Sequence, residues 1–121
     1  MAARVAAFEP HPEHARTLHA WHIPGVSVWP LVVSDRVGCT AFHLDTRPGM
    51  HGVASSVLTL QGLSDGRTVD VRTKTIDTWC EETGSVPALI KIDAEGTEPL
   101  ILEGARETMR RHRPVLIFEL W

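Results

Sequence analysis

The stretch that decides the fold, residues 88–99, reads Ala88-Leu89-Ile90-Lys91-Ile92-Asp93-Ala94-Glu95-Gly96-Thr97-Glu98-Pro99. An apolar run meets two acids and a glycine and then opens a helix, which is the layout of a strand, a tight turn and a helix start. In open α/β sheets, ligands bind just beyond the carboxyl ends of parallel strands. We therefore expect Asp93 and Glu95 to lie at the ligand-binding edge of a sheet.

The composition is that of an ordinary globular protein. Of the 121 residues, 43% are hydrophobic and 22% are charged, and the net charge of −3 gives no reason to expect a nucleic acid or an acidic membrane surface as a partner. No apolar stretch approaches the roughly 20 residues of a membrane span, and the N-terminus lacks the apolar core of a signal peptide. Cys39 and Cys80 form no close-spaced metal pair, so we expect a reducing, cytoplasmic location.

Apolar runs separated by turn residues predict a series of alternating elements. The strand candidates are Val5–Phe8, Val26–Val33 (weakened by Pro30), Thr40–Leu44, Val53–Leu60, Val69–Thr73, Ala88–Ile92 and Val115–Leu120. Helices are expected over Pro12–Trp21, Thr75–Thr83 and Thr97–Arg111, and a loop over Thr46–Gly52. The order is β-α-β, a β-rich insertion, then α-β-α-β. Such alternation predicts a mostly parallel sheet with helices on its faces.

The clearest helical pattern lies over Thr97–Arg111. Ile101, Ala105 and Met109 follow one another at a four-residue step, which places them on one face of a helix. Pro114 cannot continue the helix and marks its end. The spacing therefore predicts one continuous helix between the turn after Ala88–Ile92 and the last strand.

Several short segments, in their order along the chain, carry a resemblance to a known family. They are Ala7-Phe8-Glu9-Pro10-His11-Pro12-Glu13, Val33-Ser34-Asp35 with Gly38, Ser55-Ser56, Thr75-Ile76-Asp77, Ile90 to Glu98, Leu102-Glu103-Gly104-Ala105, and Pro114 to Glu119. Together they resemble the FkbM family of S-adenosylmethionine-dependent methyltransferases over nearly the whole chain. The resemblance implies a Rossmann-like class I methyltransferase fold in which Val5–Phe8 is the second strand, Ala88–Ile92 the fourth and Val115–Leu120 the fifth.

The resemblance also implies roles in binding S-adenosylmethionine. Glu9 matches the acid that hydrogen-bonds the ribose hydroxyls of this cofactor, and a carboxylate at this place serves a ribose in dinucleotide-binding folds too. Ser34 and Asp35 match the turn near the adenine. Asp93 matches the acid beyond the fourth strand, beside the methyl group and the acceptor.

The reaction implied by the resemblance is methyl transfer to a hydroxyl of a small-molecule acceptor, of a sugar or natural-product type. An acceptor hydroxyl must lose a proton, and a positioned carboxylate can take it. Asp93 is the first candidate for this general base or for an acceptor anchor, and Glu119 is the second. Glu95 and His43 are candidates for contact with the acceptor.

The sequence departs from the family at both ends. The family begins with a strand and a glycine-rich turn, roughly Asp-x-Gly-Ala-Asn-x-Gly, which this sequence does not contain, and the chain ends directly after the fifth strand. We therefore expect residues 1–121 to be one partial domain with an incomplete Rossmann-like fold. Loss of a mid-sheet strand would leave two half-sheets with open edges, which favour self-association or pairing with another chain.

Structural roles compete with the functional ones at each candidate residue. Glu9 could be a solvated strand-end carboxylate, Asp93 and Glu95 could cap the next helix, and Asp35 could be a turn former. We expect the four tryptophans to pack rather than to stack on sugars, and the two closely spaced histidine pairs near the first helix to lie on a solvated face.

Two other classes of function stay open at this point. The chain could be a non-catalytic remnant or interaction module of the same fold that pairs with a partner through its strand edges. A metal-dependent hydrolase built on Asp93, Glu95 and the histidines is the weaker alternative. No cysteine lies near the histidine pairs in sequence, and we expect no metal site.

Overall fold

Strands and helices alternate along the chain in the computed structural model, which describes residues 3–44 and 67–119. The elements are β1 (Val5–Phe8), α1 (Pro12–Ala20), β2 (Val26–Trp29), β3 (Val32–Val33), β4 (Gly38–Leu44), β5 (Arg67–Lys74), α2 (Ile76–Thr83), β6 (Leu89–Ile92), α3 (Glu98–Glu103), α4 (Arg106–His112) and β7 (Val115–Phe118). The predicted loop and strand over 46–60 lie outside the described residues. Over 3–44 and 67–119, no helix is long and apolar enough to cross a membrane.

Parallel pairing dominates, as the alternation predicted. β1 runs parallel to β2, with Phe8 opposite Trp29, and β6 runs parallel to β7, with Ile92 opposite Phe118. No strand pairing joins these two pairs within the described ranges. The two expected half-sheets are therefore observed as separate two-stranded sheets.

The expected β-rich insertion forms a small mixed sheet in the order β3-β5-β4. β3 is parallel to β5, and β4 runs antiparallel to β5 from Gly38 opposite Thr73 to Leu44 opposite Arg67. Its apolar core consists of three buried side chains, Val32, Phe42 and Val71.

The single strand predicted over Val26–Val33 is wrong. The structure has two strands there, and they belong to different sheets, because β2 pairs with β1 and β3 pairs with β5. Pro30 lies between them. Proline has no N–H to donate to a ladder, so the pairing with β1 stops and the chain moves to the second sheet.

The single helix predicted over Thr97–Arg111 is also wrong. It is two helices, α3 and α4, with a break at Gly104. Asp77 of α2 supplies the physical reason, because its carboxylate accepts the N–H groups of Glu107 and Thr108 at 3.0 and 2.7 Å. These amides would otherwise belong to an unbroken helix, and capping by Asp77 makes a second helix start.

One apolar core lies between the helices α2, α3 and α4 and the strand ends. Its buried members are Ile76, Cys80, Ile92, Ile101 and Ala105. Partly buried side chains complete it, among them Phe8, Val33, Trp79, Ile90, Ala94, Leu102 and Met109. The core therefore joins residues from β1, β3 and β6, which lie in three different sheets.

The tryptophans divide into packed and exposed ones. Trp79 meets Phe8 and Trp29 edge to face, with ring centroids 5.3 and 5.8 Å apart. This agrees with the packing role expected for Trp29 and Trp79. Trp21 is 63% exposed, so the expectation that it packs is wrong, because α1 ends beside it and turns it to solvent.

Candidate functional site

Three strands end at the core that α2, α3 and α4 cover. The last residues of β1, β3 and β6 all belong to this core, and they are Phe8, Val33 and Ile92. Each is followed directly by a candidate cofactor residue, namely Glu9, Ser34 and Asp93. The shared core thus gathers the carboxyl ends of strands from separate sheets, which is where α/β proteins bind ligands.

Glu9 is half-buried and held by the backbone on both sides. Its N–H donates to the carbonyl of Trp29 at 3.0 Å, which extends the β1–β2 ladder by one bond. Its Oε1 accepts the N–H of His11 at 2.8 Å. In the part of the chain that the structure describes, the second carboxylate oxygen has no hydrogen-bond partner. The carboxylate is therefore oriented by one oxygen and has the other available for a hydroxyl.

Ser34 and Asp35 form the turn after β3. The N–H of Ser34 donates to the carbonyl of Lys74 at 3.0 Å, and its Oγ donates to Asp35 Oδ1 at 3.1 Å. Arg36 Nε donates to the same oxygen at 3.3 Å, and this hydrogen bond keeps the pKa of Asp35 below its ordinary value. Asp35 thus accepts hydrogen bonds within the turn, in agreement with the turn-forming role considered from the sequence. Its carboxylate is ionised at neutral pH.

Glu98 holds the turn that follows β6. It is only 5% exposed, and its two carboxylate oxygens accept the N–H groups of Ala94 and Gly96 at 3.0 and 2.8 Å. The backbone φ is +51° at Glu95 and +103° at Gly96, a tight path that a buried anion stabilises by accepting these amides. This role of Glu98 was not predicted from the sequence.

Asp93 and Glu95 lie on this turn with different surroundings. Asp93 is exposed, whereas Glu95 is half-buried, and burial together with the charges of Asp93 and Glu98 raises the pKa of Glu95. Along 3–44 and 67–119, no amide of α3 donates to the carboxylate of Asp93 or Glu95. Helix capping, the competing interpretation of these two acids, is therefore not observed.

Glu119 and Asp93 directly follow two residues that are opposite each other in the β6–β7 sheet. Ile92 and Phe118 are directly opposite in the parallel β6–β7 ladder, so Asp93 and Glu119 leave neighbouring strands at the same level. Neighbouring strands are about 4.8 Å apart. Both acids are exposed. The two candidate general bases thus form adjacent positions on one edge, although they are separated by many residues along the chain.

The comparison with known proteins agrees with this architecture. The family model of the methyltransferase FkbM domain matches residues 2–120. The chain belongs to the FkbM methyltransferase family. This confirms the family that the sequence motifs indicated. No curated protein matches the FkbM-family chain closely enough to count as a relative.

The fold of this FkbM-family chain is similar to the crystal structure of methyltransferase FkbM from Methylobacillus flagellatus KT, solved at 2.20 Å resolution. The two share 19% sequence identity with a TM-score of 0.55. The likeness covers 95% of this chain and 25% of that one, so the chain spans about a quarter of the length of that protein. The match confirms the Rossmann-like methyltransferase fold.

His43 lies in another part of this FkbM-family fold. It is on β4, opposite Thr68, whose Oγ1 is 3.2 Å from His43 Nδ1. The neighbouring buried side chain, Phe42, belongs to the core of the mixed sheet rather than to the core below Asp93. A contact between His43 and the methyl acceptor stays a prediction.

The histidines near α1 of this FkbM-family chain have structural contacts. His11 is only 7% exposed, stacks on His14 at a centroid distance of 3.9 Å, and caps α1 by accepting the N–H of Glu13. The expected solvated face is therefore wrong for His11, since its ring is needed at the helix start. In the residues that the structure describes, no group of three or more potential ligands is arranged to hold a metal ion.

Proposed function

We propose that this chain is the part of an S-adenosylmethionine-dependent methyltransferase that binds the cofactor's nucleoside and carries the base for methylation of a hydroxyl. The acceptor is a small molecule of a sugar or natural-product type. One observation carries the proposal. Glu9, Ser34 and Asp93 follow strands that end at one shared core, although they belong to three different sheets.

The residues present fit the nucleoside half of such a cofactor. Glu9 has one carboxylate oxygen bound to a backbone amide and the second oxygen free of partners among the described residues, so it can accept from a ribose hydroxyl. Ser34 and Asp35 line the adenine end, where the ionised carboxylate of Asp35 is an acceptor for an amino group. When bound, S-adenosylmethionine supplies a methyl group on a positively charged sulfur.

The acceptor end lies at the edge formed by β6 and β7. Asp93 and Glu119 are both exposed there, so either can reach a hydroxyl and take its proton. Their negative charge also favours a positively charged ligand group nearby. Glu98 holds the turn that carries Asp93, which keeps the base in place while the acceptor binds.

Isothermal titration of the purified chain with S-adenosylhomocysteine tests the proposal. We expect binding in the micromolar range, and we expect Glu9→Gln to weaken it by about tenfold, because an amide offers one accepting oxygen instead of two. Glu103→Gln, an exposed residue of α3, is the matched control. A folded wild-type chain that does not bind S-adenosylhomocysteine would contradict the proposal.

A turnover assay then assigns the base. Radiolabelled S-adenosylmethionine and a panel of sugars and polyols are offered to a complete, active parent chain that contains this segment, and transfer of the label is measured. We expect Asp93→Asn to abolish transfer while cofactor affinity is retained. Transfer that is unchanged in Asp93→Asn removes Asp93 from the mechanism and leaves Glu119 as the candidate.

A second function, a strand-pairing interaction module of the same fold, is favoured by a different observation. Leu89, Val115 and Ile117 lie on one face of the β6–β7 sheet and are 53, 60 and 49% exposed. Contiguous exposed apolar side chains next to unpaired strand edges mark sites of association. Association of the chain in sedimentation velocity experiments, without any binding of S-adenosylhomocysteine, would favour this function over the first.

A further inference from the structure

Gly104, at the junction of α3 and α4, is buried and packs directly against the chain at the end of β3. A Cβ at this position would lie 2.1 Å from the carbonyl oxygen of Ser34 and 3.1 Å from Cβ of Thr75. Real Cβ atoms essentially never approach closer than 3.0 Å. The φ of Gly104 is an ordinary helical −73°, so space rather than backbone freedom requires glycine here.

This contact acts on the turn of the proposed adenine end. The N–H of Ser34 is held by the carbonyl of Lys74 at 3.0 Å, and its hydroxyl is bonded to Asp35. The carbonyl of Ser34 completes the arrangement by lying against Gly104. The position of Ser34 and Asp35 is therefore set partly by a residue that is about 70 positions later in the chain.

The helix α3 connects this contact to the acceptor end of the proposed site. Its first residue, Glu98, binds the amides of the turn after β6 through a buried carboxylate. Beyond its last residue, Glu103, the carbonyl of Gly104 accepts the N–H of Asp77 at 2.9 Å. A helix rises 1.5 Å per residue, so six residues span about 9 Å. Both ends of this short rigid segment are thus anchored by hydrogen bonds.

We propose that Gly104 is a positioning residue that sets the place of the Ser34–Asp35 turn relative to the turn that carries Asp93. The inference rests on the proposed function, because it concerns the cofactor site of that function. In Gly104→Ala the carbonyl oxygen of Ser34 must move from 2.1 Å to at least 3.0 Å from the new methyl group, a shift of at least 0.9 Å. A displacement of about 1 Å at a ligand-binding group costs about tenfold or more in function.

Titration calorimetry with S-adenosylhomocysteine and with adenosine tests the role of Gly104. We expect Gly104→Ala to weaken both ligands by about tenfold, because both contain the adenine that Ser34 and Asp35 contact. Gly84→Ala is the matched control. A Cβ at Gly84 meets nothing within 4 Å, but its φ of +68° makes alanine strained, so this variant loses stability without touching the site.

A second measurement covers the case in which Gly104→Ala does not fold. In the wild-type chain, we expect S-adenosylhomocysteine to shift the amide resonance of Gly104 together with those of Ser34 and Asp35, because the backbone of Gly104 packs against that of Ser34, the residue before Asp35. An amide of Gly104 that does not respond while those of Ser34 and Asp35 do would overturn the inference.

The outcomes separate this inference from the proposed function. Equal affinity of folded Gly104→Ala and wild type for S-adenosylhomocysteine overturns the positioning role and leaves the proposed function intact. Weaker binding by Gly104→Ala but not by Gly84→Ala supports both. A folded wild-type chain that binds neither ligand overturns the proposed function, and the positioning role with it.

Discussion

Replacing Glu98 with glutamine tests whether this buried carboxylate stabilises the turn after β6. Glutamine keeps the length of the side chain but has one accepting oxygen, so it can accept from Ala94 or from Gly96 but not from both. Loss of a hydrogen bond to a charged group costs about 1.5–3 kcal/mol. Relief of the repulsion between Glu98 and Glu95 acts in the opposite sense, because the charge of Glu98 is one of the causes that raise the pKa of Glu95.

We expect the free energy of unfolding of Glu98→Gln to fall by about 2 kcal/mol. Unfolding entropy is about 2.1 cal/mol/K per residue, so for a chain of 121 residues this corresponds to a melting temperature lower by about 8 °C. Urea titration and thermal scans at pH 7, both followed by circular dichroism, measure these two quantities.

The matched control for this experiment is Glu103→Gln on the same helix. Glu103 is exposed and pairs with Arg106 at 2.6 Å, and we expect its loss to leave stability unchanged, because exposed ion pairs contribute little. If Glu98→Gln proves as stable as Glu103→Gln, the reasoning that Glu98 holds the turn is refuted.

Three further predictions concern acids and apolar residues around the same elements. Glu95→Gln should raise the free energy of unfolding at pH 7, because the pKa of Glu95 is raised in the folded state and its charged form is therefore disfavoured there. The gain should vanish below pH 4.5, the ordinary pKa of this side chain. An equal gain in urea titrations at pH 7 and pH 4 contradicts this cause. Asp77→Ala removes the cap that joins α2 to α4 and should lower the free energy of unfolding, measured by urea titration, by about 2 kcal/mol. Replacement of the exposed Glu81 on the same helix by alanine should leave it unchanged. Equal free energies of unfolding for the two variants exclude the capping role. Val115→Lys should reduce any concentration-dependent association in sedimentation velocity experiments. It should not lower stability, because Val115 is 60% exposed. Association that persists in this variant places the contact elsewhere.

The order of the elements could be predicted from the sequence, whereas two boundaries could not. The strands Val5–Phe8 and Ala88–Ile92 are short apolar runs bounded by polar and turn residues, a local signal. The chain leaves one sheet for another near Pro30 because β5 offers β3 a partner, and α3 ends near Gly104 because Asp77 caps α4. Pro30 is a local signal for the end of β2, but the partner strand β5 and the capping residue Asp77 lie far away in sequence, so no local pattern reveals them.

The candidate site could be predicted to a similar extent. Asp93 was identifiable because it directly follows an apolar run, whereas the role predicted for Glu9 came from the resemblance of the segment around it to the FkbM family. The role of Glu98 depends on a turn in which Glu95 has a φ of +51°. A positive φ is uncommon for residues other than glycine, so the sequence gives no reason to expect this turn. The one available signal was the position of Glu98 two residues after Gly96, which allows its side chain to reach back to the turn.

The edge-to-face contacts of Trp79 with Phe8 and Trp29 give this protein an intrinsic fluorescence probe. The chain contains four tryptophans and no tyrosine, so its near-ultraviolet emission comes from indole rings alone. Trp29 accepts the N–H of Glu9 through its carbonyl, and its ring touches Trp79. A change at Glu9 is therefore detected as quenching or a wavelength shift of this emission, without an added label. Trp21, which is 63% exposed at the opposite end of α1, adds emission that responds to solvent.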